Sequence, residues 1–498
     1  MKPKYLLTVA AIVAVTQASF AQYSQDALRF STFQSGSTAR IKGVGNAQTA
    51  LGGDLSSISG NPAGIGFFTH SEMSITPEFD GSKVKSTYYG QGNNTSKSNL
   101  NLNNIAAVFY SQLNTPKGAD KTKGWLSLNF GVAYDRTNNY YEDIRYSGTN
   151  KSNSITDYYA NDANANQLAN GSLGAWAYDQ NLIDQYGSAG NQYRSNATYP
   201  PPGVNPNGVT QLSNAIRTGG QSELSLSMGA NYSNQFYLGF SVGITNLRYN
   251  TTNTFTESGL ASVITAIGPP IVTANQNYTN VYTQDQETKG TGFNLKAGFI
   301  YKPTEAVRLG ATITTPTWYN IDDNYNEGMT TKLNGSNLVG GPANYPFSYK
   351  LQTPTRVSGG IAVFFKQFGF ISGDVEYLDY SASHLSGDYN SNADNNDIKT
   401  LYQSAVNAHV GAEARLASSL FLRGGYGVQG NALKENGSNI NTVSGGLGFR
   451  SGTYYIDATY SHITGSQTVF PYEIGTNSPA ALLNRTNDNV YLTVGFRF

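Results

Sequence analysis

The sequence contains no cysteine, which excludes disulfide scaffolds, thiolate metal sites and cysteine nucleophiles. Charge is scarce as well: 13% of the residues are charged, against roughly 25% in ordinary soluble domains. Because 32 basic residues balance 32 acidic ones, the chain lacks the basic surface by which proteins hold nucleic acid. Its mean hydropathy of −0.38 also excludes a bundle of membrane-spanning helices.

Glycine and tyrosine are abundant instead, with 54 and 35 copies among 498 residues. This composition suits many strands joined by tight turns and polar loops.

The N-terminus has the pattern of an export signal. Lys2 and Lys4 precede an apolar run at residues 5–15 that is too short to span a bilayer. Small residues then place a cleavage site after Ala21, so we predict a signal peptide over residues 1–21. The next residue, Gln22, is not a cysteine, which argues against a lipoprotein.

The clearest structural signal is a β-hairpin at residues 223–244. Leu224, Leu226 and Met228 alternate with small or polar residues, residues 233–235 form a turn, and the alternation resumes at Phe236. Each arm is about ten residues long, which is the length that a tilted strand needs to cross a bilayer.

The same period of two recurs along the chain. Together with the two arms of that hairpin and weaker segments near 71–82 and 100–110, we count fourteen strands, the others being 126–134, 293–299, 307–313, 357–365, one ending at Tyr377, 406–416, 420–426, 443–449, 454–460 and 490–498.

Two regularities favour a membrane barrel over a soluble β-sandwich or solenoid. Tight turns are predicted near 233–235, 302–305, 366–367, 417–419 and 451–452, and long loops at 137–222, 249–290, 315–353, 380–403 and 464–487. Outer-membrane barrels show this asymmetry, with short periplasmic turns and long external loops.

Charge supplies the second regularity, because charged residues in the strands keep to the phase opposite the apolar residues. A lipid-facing Arg or Lys near the midplane costs about 2–4 kcal/mol, whereas a charge in the lumen is hydrated or paired. The charged residues on the lumen phase are Glu223, Lys296, Arg308, Arg356, Asp374, Glu376, Glu413, Arg415, Arg423, Arg450, Asp457 and Arg497.

The sequence therefore predicts an all-β fold, a fourteen-stranded antiparallel transmembrane β-barrel over residues 71–498. Pro77 falls inside the first strand and cannot donate to a ladder, so we expect a bulge, a kink or a strand start there.

Residues 22–70 lack sustained alternation and are rich in glycine. A barrel of fourteen strands is too wide for its own side chains to fill, so it either holds water or needs a plug. The segment could hang in the periplasm or fold into the lumen, and we predict the second arrangement, an N-terminal plug, or hatch, over residues 22–70. Gly43-Val44-Gly45 is not a nucleotide loop, because no strand precedes it and no Gly-Lys-Ser follows.

The chain resembles a known family, the outer-membrane long-chain fatty-acid transporters of the FadL/TodX type. The resemblance spans nearly the whole mature chain, and Asn61-Pro62-Ala63 is its most specific motif. The other similar segments are residues 39–47 with Ala50 and Asp54, residues 301–303, 309–311, 315–317, 373–377, 410–413 and 422–426, and the terminal aromatic Phe498.

The resemblance implies location and function. It implies a protein of the outer membrane of a Gram-negative bacterium that passively transports hydrophobic compounds such as long-chain fatty acids, without a cofactor. Cargo would enter a groove between external loops, reach a pocket in the barrel, pass when the hatch shifts, and leave sideways at a kinked strand. We expect a monomer in contact with outer-membrane lipid.

Carried onto this sequence, Asn61, Pro62 and Ala63 would form the gate, with Gly60 and Gly64 as hinge candidates. Pro62 fixes its own φ and restricts Asn61, so the motif is a stiff turn. A purely structural role, packing the plug, explains these residues equally well.

Apolar residues in the predicted external loops suggest where cargo lands, since exposed apolar patches tend to be interaction sites. The groove candidates are Trp176, Leu260, Val263, Ile264 and Ile267. The alternative is that these residues pack on each other and merely order the loops.

Catalysis has little support. The histidines, His70, His384, His409 and His462, are scattered, and no metal-ligand spacing is visible. His409 and Glu413 share a strand face, but a lumen charge network accounts for them. We therefore predict a transporter rather than an enzyme, with a general porin or a surface receptor for haem or another ligand as alternatives.

Overall fold

The computed structural model describes residues 21–114, 120, 122–186, 191–199, 204–266, 272–387 and 391–498. Apart from Ala21, the predicted signal peptide lies outside the described residues.

Within these described ranges, twenty strands make up most of the structure. Their bounds are β1 Glu72–Tyr88, β2 Gln91–Phe109, β3 Trp125–Asn139, β4 Glu142–Asn150, β5 Ile183–Tyr186, β6 Gln192–Ser195, β7 Val209–Tyr232, β8 Phe236–Ala266, β9 Val272–Tyr301, β10 Val307–Thr314, β11 Trp318–Leu333, β12 Ser336–Gln352, β13 Arg356–Phe364, β14 Gly369–Asp379, β15 His384–Ser386, β16 Ser404–Arg415, β17 Leu420–Gln429, β18 Ile440–Ser451, β19 Tyr454–Val469 and β20 Ala481–Arg497.

The helices lie in the N-terminal segment and in the external loops. They are α1 Ala21–Ser31, α2 Ala39–Gly43, α3 Ile155–Asn166, α4 Leu173–Asp179 and α5 Asn392–Leu401, together with 3₁₀ helices at Leu55–Ile58, Pro62–Phe67, Tyr380–Ala382 and Gly475–Asn477. Among the described residues, no helix is long and apolar enough to cross a membrane.

Fourteen strands close into one antiparallel ring, which confirms the predicted fold class and strand number. Closure is needed because lipid offers no partner for an unpaired backbone N–H or C=O group. Around the ring the order is β1, β2, β3, β7, β8, β9, β10, β13, β14, β16, β17, β18, β19, β20 and back to β1.

The two faces of the wall differ as the alternation predicts. Outward-facing Met228, Val410 and Val494 are 42, 49 and 43% exposed, whereas inward-facing Glu223 and Asp457 are 3 and 1% exposed. The lipid-facing band is therefore apolar, and six of the twelve predicted lumen charges are buried, namely Glu223, Lys296, Asp374, Glu413, Arg423 and Asp457.

Above this band, several strands continue outward, and here the loop prediction is wrong. Residues 249–290 and 315–353 are largely strand: β8 and β9 pair up to Ala266, and β11 and β12 form a further hairpin beside β9. The outward face of these extensions is polar, as at the Thr252–Asp285 cross-strand bond, and the inward face mixes buried apolar residues such as Phe255 with polar ones such as Glu257. The period-two hydrophobic signal is consequently interrupted there.

The expected irregularity at Pro77 is confirmed. The β1–β2 register shifts between Thr76 and Pro77, because Thr76 pairs with Asn104 and Pro77 with Leu102. Asn103 is thus an extra residue in β2, a bulge opposite the one position of β1 that has no N–H to donate.

The lipid-facing band can be tested on one strand. Met228→Arg should lower the free energy of unfolding in lipid vesicles by about 2–4 kcal/mol, because the charge would lie near the midplane. Ile216→Arg is the matched control, since Ile216 is 43% exposed on the extension of β7 that pairs with β4. Equal losses in the two variants would contradict this placement of the bilayer.

Candidate functional site

The N-terminal segment lies inside the barrel. The α2 helix contacts β17, β18, β19 and β20, while the 3₁₀ helix Pro62–Phe67 contacts β3, β7, β8 and β9 on the other side of the lumen. Residues 39–67, which we name the seated plug, therefore span the bore.

Paired glycines in the wall receive the backbone of the seated plug at three places. At the first place, Gly239 is paired across the strands with both Gly229 and Gly298. At the other two, Gly310 is paired with Gly360 and Gly411 with Gly425. A Cβ atom would meet Pro62 at Gly239, Thr49 at Gly310 and Val44 at Gly411, each closer than 3.0 Å. Only glycine leaves room for backbone against backbone at these points.

The predicted gate residues come together at the first of these contacts. The Asn61 side-chain amide donates to the carbonyl of Thr49 at 2.6 Å and to that of Phe299 in β9 at 3.2 Å, and its oxygen accepts from the N–H of Ala63 at 3.1 Å. Asn61 thus caps the 3₁₀ helix that Pro62 begins and ties it to the wall.

Gly60 and Gly64 are both closely packed, but only Gly64 lies against backbone, the Cα of Gly52. A Cβ at Gly60 would overlap the side chain of Gln48, and one at Gly64 would overlap Ser57. The contacts describe how the motif is held; its role as a gate stays a prediction.

A buried ion network fixes the α2 end of the plug. The Glu413 carboxylate accepts from the Arg40 guanidinium at 2.9 Å and from that of Arg423 at 2.7 Å, and Arg423 also donates to Asp457 at 2.7 Å. The sequence placed three of these charges in the lumen but carried no signal that Arg40 joins them from the plug.

The α1 helix fills an apolar socket in the outer half of the lumen. Ala27 and Phe30 of α1 pack there, and the socket residues are Tyr140, Leu247, Tyr249, Tyr319, Ile321, Tyr349, Leu351, Leu378, Tyr380, Leu385, Ile398, Tyr402 and Ala405. We call this set the tyrosine socket. Sequence reasoning missed it, because its members come from ten separate elements or connections.

Hydrogen bonds hold α1 in the tyrosine socket. The Tyr402 hydroxyl donates to the carbonyl of Ser24 at 2.7 Å, and the Gln221 amide donates to that of Phe30 at 2.8 Å. Burial raises the pKa of the Asp26 carboxyl, and its ion pair with Arg29 partly offsets this effect.

Two cavities of about 130 and 30 Å³ lie around residues 30–35 of the N-terminal segment. Phe33 and Arg356 line both of them, and the Arg356 guanidinium lies 3.8 Å from the centre of the Phe33 ring. The larger cavity is mostly polar and includes Lys42, whose ammonium pKa is lowered by burial, and His409.

The wall beside the plug is incomplete between β2 and β3. Their ladder covers Asn104–Phe109 and Phe130–Asp135 only. Above it, side chains connect β2 to β4 instead, as Lys97 does to Asp143 at 2.7 Å.

Plug residues 32–37 cover the inner side of this interruption. The N–H of Gln34 donates to the carbonyl of Thr137 at 2.8 Å, and the Asn138 side chain donates to the carbonyl of Thr32 at 3.2 Å. On the outer side, Leu100 of β2 is 74% exposed toward the lipid.

The groove candidates lie in or beside a second apolar cluster, in the external loops. Trp176 and Val263 are buried members of it, together with residues of α3, α4 and β9. Leu260 and Ile264 are half-buried and belong to β8 rather than to a loop, which corrects our placement of this stretch, and Ile267 lies outside the described residues. Their role in binding cargo stays a prediction.

Among the described residues, no group of three or more His, Asp or Glu side chains could hold a metal ion.

Comparison with known proteins places the chain in context. The family described as outer membrane protein transport protein (OMPP1/FadL/TodX) matches residues 213–497, more than half of the chain. No curated protein sequence matches significantly.

Several solved structures share the fold. The toluene transporter TodX of P. putida is 12% identical with a TM-score of 0.53, over 93% of this chain and 99% of its own. A Pseudomonas aeruginosa FadL homologue is 13% identical with a TM-score of 0.52, over 91 and 96%. The CymD monoaromatic hydrocarbon channel is 11% identical with a TM-score of 0.50, over 93 and 97%.

The glycine contacts make a direct prediction about the plug. Gly239→Ala should unseat the 3₁₀ helix at Pro62 and raise ion conductance severalfold in planar bilayers, because its Cβ would overlap plug backbone. Gly424→Ala is the control, since no atom lies within 4 Å of a Cβ there. Unchanged conductance of folded Gly239→Ala protein would show that these contacts do not seat the plug.

Proposed function

The chain belongs to the OMPP1/FadL/TodX family of outer-membrane transport proteins, and from that membership we propose that it passively carries hydrophobic small molecules, including long-chain fatty acids, across the outer membrane of a Gram-negative bacterium. The observation that carries the proposal is a plugged lumen with an apolar socket above the plug and an interrupted wall beside it.

The lumen chemistry favours a sideways exit. Below the tyrosine socket, the way toward the periplasm is filled by the seated plug and by a polar cavity lined by Lys42, Asp374 and His409, among others. Burial of apolar surface in apolar surroundings contributes about 25 cal/mol of free energy per Å². An apolar molecule that moved from the socket into the polar cavity would lose this contribution.

Lipid is the better destination for such a molecule. Residues 32–37 separate the lumen from the interrupted β2–β3 wall, so a shift of this segment would open a side path past the Asn103 bulge. Hydrocarbon-facing Leu100 lies on the far side. This path matches the side exit that the family resemblance implies.

The plug also weighs against a general porin. Within the part of the chain that the structure describes, two small cavities of about 130 and 30 Å³ lie against plug residues. A polar-solute porin needs an open bore instead.

The side exit can be tested by removing the bulge. Deleting Asn103 would let Leu102 and Asn104 occupy consecutive ladder positions opposite Pro77 and Thr76, and the repaired wall should lower uptake of a labelled fatty acid about tenfold or more. Asn103→Ala is the control, because it keeps the extra residue. The measurement is uptake by intact cells, with a labelled sugar as the polar comparison.

Two results would contradict the proposal. Uptake of the sugar at the rate of the fatty acid would indicate a porin. Full fatty-acid uptake by the folded deletion variant would rule out the β2–β3 exit.

The entry groove has a separate test. Ile264→Asp should lower fatty-acid uptake severalfold, since a charge in an apolar landing site must be desolvated when cargo binds. Val339→Asp is the control, because Val339 is 72% exposed on the β11–β12 hairpin and lies outside the proposed groove. Equal uptake by the two variants would contradict the proposed entry groove.

A further inference from the structure

The outward face of β8, β9 and β11 shows where the bilayer ends on the external side. Ile244, Phe293 and Trp318 are paired in register and exposed, and the Phe293 and Trp318 ring centres lie 5.1 Å apart. Aromatic side chains of barrels lie at the level of the lipid head groups. We call these three residues the aromatic row, and the head groups of the outer leaflet lie at and just above it.

Three exposed basic side chains lie on the same face above the aromatic row. Arg248 in β8 and Lys289 in β9 lie four residues beyond Ile244 and Phe293, which is about 13 Å along a strand. Lys350 in β12 lies nearer to the row. We call Arg248, Lys289 and Lys350 the basic patch.

The register of the wall brings two of these charges together. Arg248 in β8 is paired directly with Lys289 in β9. Like charges at directly opposite positions destabilise a ladder. An anion held between the two cations would remove this repulsion.

Acidic residues of the protein neutralise only part of the basic patch. Glu287 pairs with Lys289 at 2.5 Å, but both side chains are more than half exposed, and such surface pairs contribute little to stability. Asp322 accepts from a serine hydroxyl at 2.7 Å. Among the described residues, Arg248 and Lys350 take part in no ion pair and no side-chain hydrogen bond.

Another part of the wall shows the opposite arrangement. Lys83 in β1 lies four residues beyond the outward-facing Phe79, and its ammonium donates to the Asp488 carboxylate at 3.0 Å. His462 shares this carboxylate at 2.8 Å. The protein therefore supplies the anion beside Lys83, whereas the basic patch needs one from outside.

The position of the basic patch determines which anion it meets. The patch continues the lipid-facing side of the strands and does not line the lumen. Long basic side chains can lean toward the head groups while their stems stay on apolar surface. Phosphate oxygens are good acceptors for guanidinium and ammonium groups.

We propose that the basic patch binds the phosphate groups of an outer-leaflet glycolipid. Arg248 and Lys289 share one phosphate. Lys350, about 14 Å away across three strand spacings, contacts a second phosphate of the same head group. The patch lies where β8, β9 and the β11–β12 hairpin leave the membrane, so the bound lipid steadies the base of the external extensions. This inference does not depend on transport.

The experiment measures equilibrium binding of radiolabelled lipid A, and of its dephosphorylated form with the same acyl chains, to the full-length processed protein in detergent micelles. Each basic residue near an anionic lipid surface contributes roughly fivefold to affinity. Wild type should therefore prefer lipid A by about tenfold to a hundredfold at low salt. The triple variant Arg248→Gln, Lys289→Gln, Lys350→Gln should lose this preference and bind the dephosphorylated lipid as wild type does, which also reports correct folding.

The matched control removes the same charge elsewhere in the external part of the protein. Lys332→Gln, Lys399→Gln and Lys434→Gln together change three exposed lysines outside the basic patch, and this variant should keep the preference for lipid A.

Three results would overturn the proposal. The first is equal binding of the two lipids by wild type, and the second is an unchanged preference in the patch variant or an equal loss in the control. The third is displacement of lipid A by millimolar inorganic phosphate, which would indicate a site for a free anion rather than for a lipid.

Discussion

A membrane offers no hydrogen-bond partners to the backbone, and the rest of this structure depends on that constraint. It requires a closed ring of strands, and a ring of fourteen is too wide for its side chains to fill. The N-terminal segment fills it instead. The plug, its docking sites and the interrupted wall therefore all follow from closing a wide barrel in lipid.

The interrupted wall between β2 and β3 is where the fewest backbone groups have a partner in a neighbouring strand. Pro77 cannot donate, Asn103 is an extra residue, and the β2–β3 ladder stops at Asn104 and Asp135. Plug residues 32–37 satisfy part of the freed backbone from inside, as the bond from Gln34 to Thr137 shows. Closure and opening of the wall are thus linked to the position of a short piece of plug.

Much of the barrel could be predicted from the sequence, because lipid on one face and buried polar groups on the other impose a strict period of two. The hairpin at 223–244 and the bulge at Pro77 are examples. The extensions of β8 and β9 could not be predicted in this way, since polar residues such as Asn253 and Glu257 interrupt the apolar residues of their inward face.

The candidate site was predictable only in part. Asn61-Pro62-Ala63 is a contiguous motif with its own turn chemistry, so it could be found in the sequence. The tyrosine socket and the stacking of Arg356 on Phe33 depend on which distant residues meet in the lumen. A single sequence does not encode such long-range neighbours in any local pattern.

The paired wall glycines have one more consequence. At Gly239, Gly310 and Gly411 the wall packs against the main chain of the plug. The fit between wall and plug at these points therefore does not depend on the plug side chains. Divergent relatives could exchange plug side chains freely elsewhere while keeping the same backbone path. The wall glycines would then change less among such relatives than the plug residues that they contact.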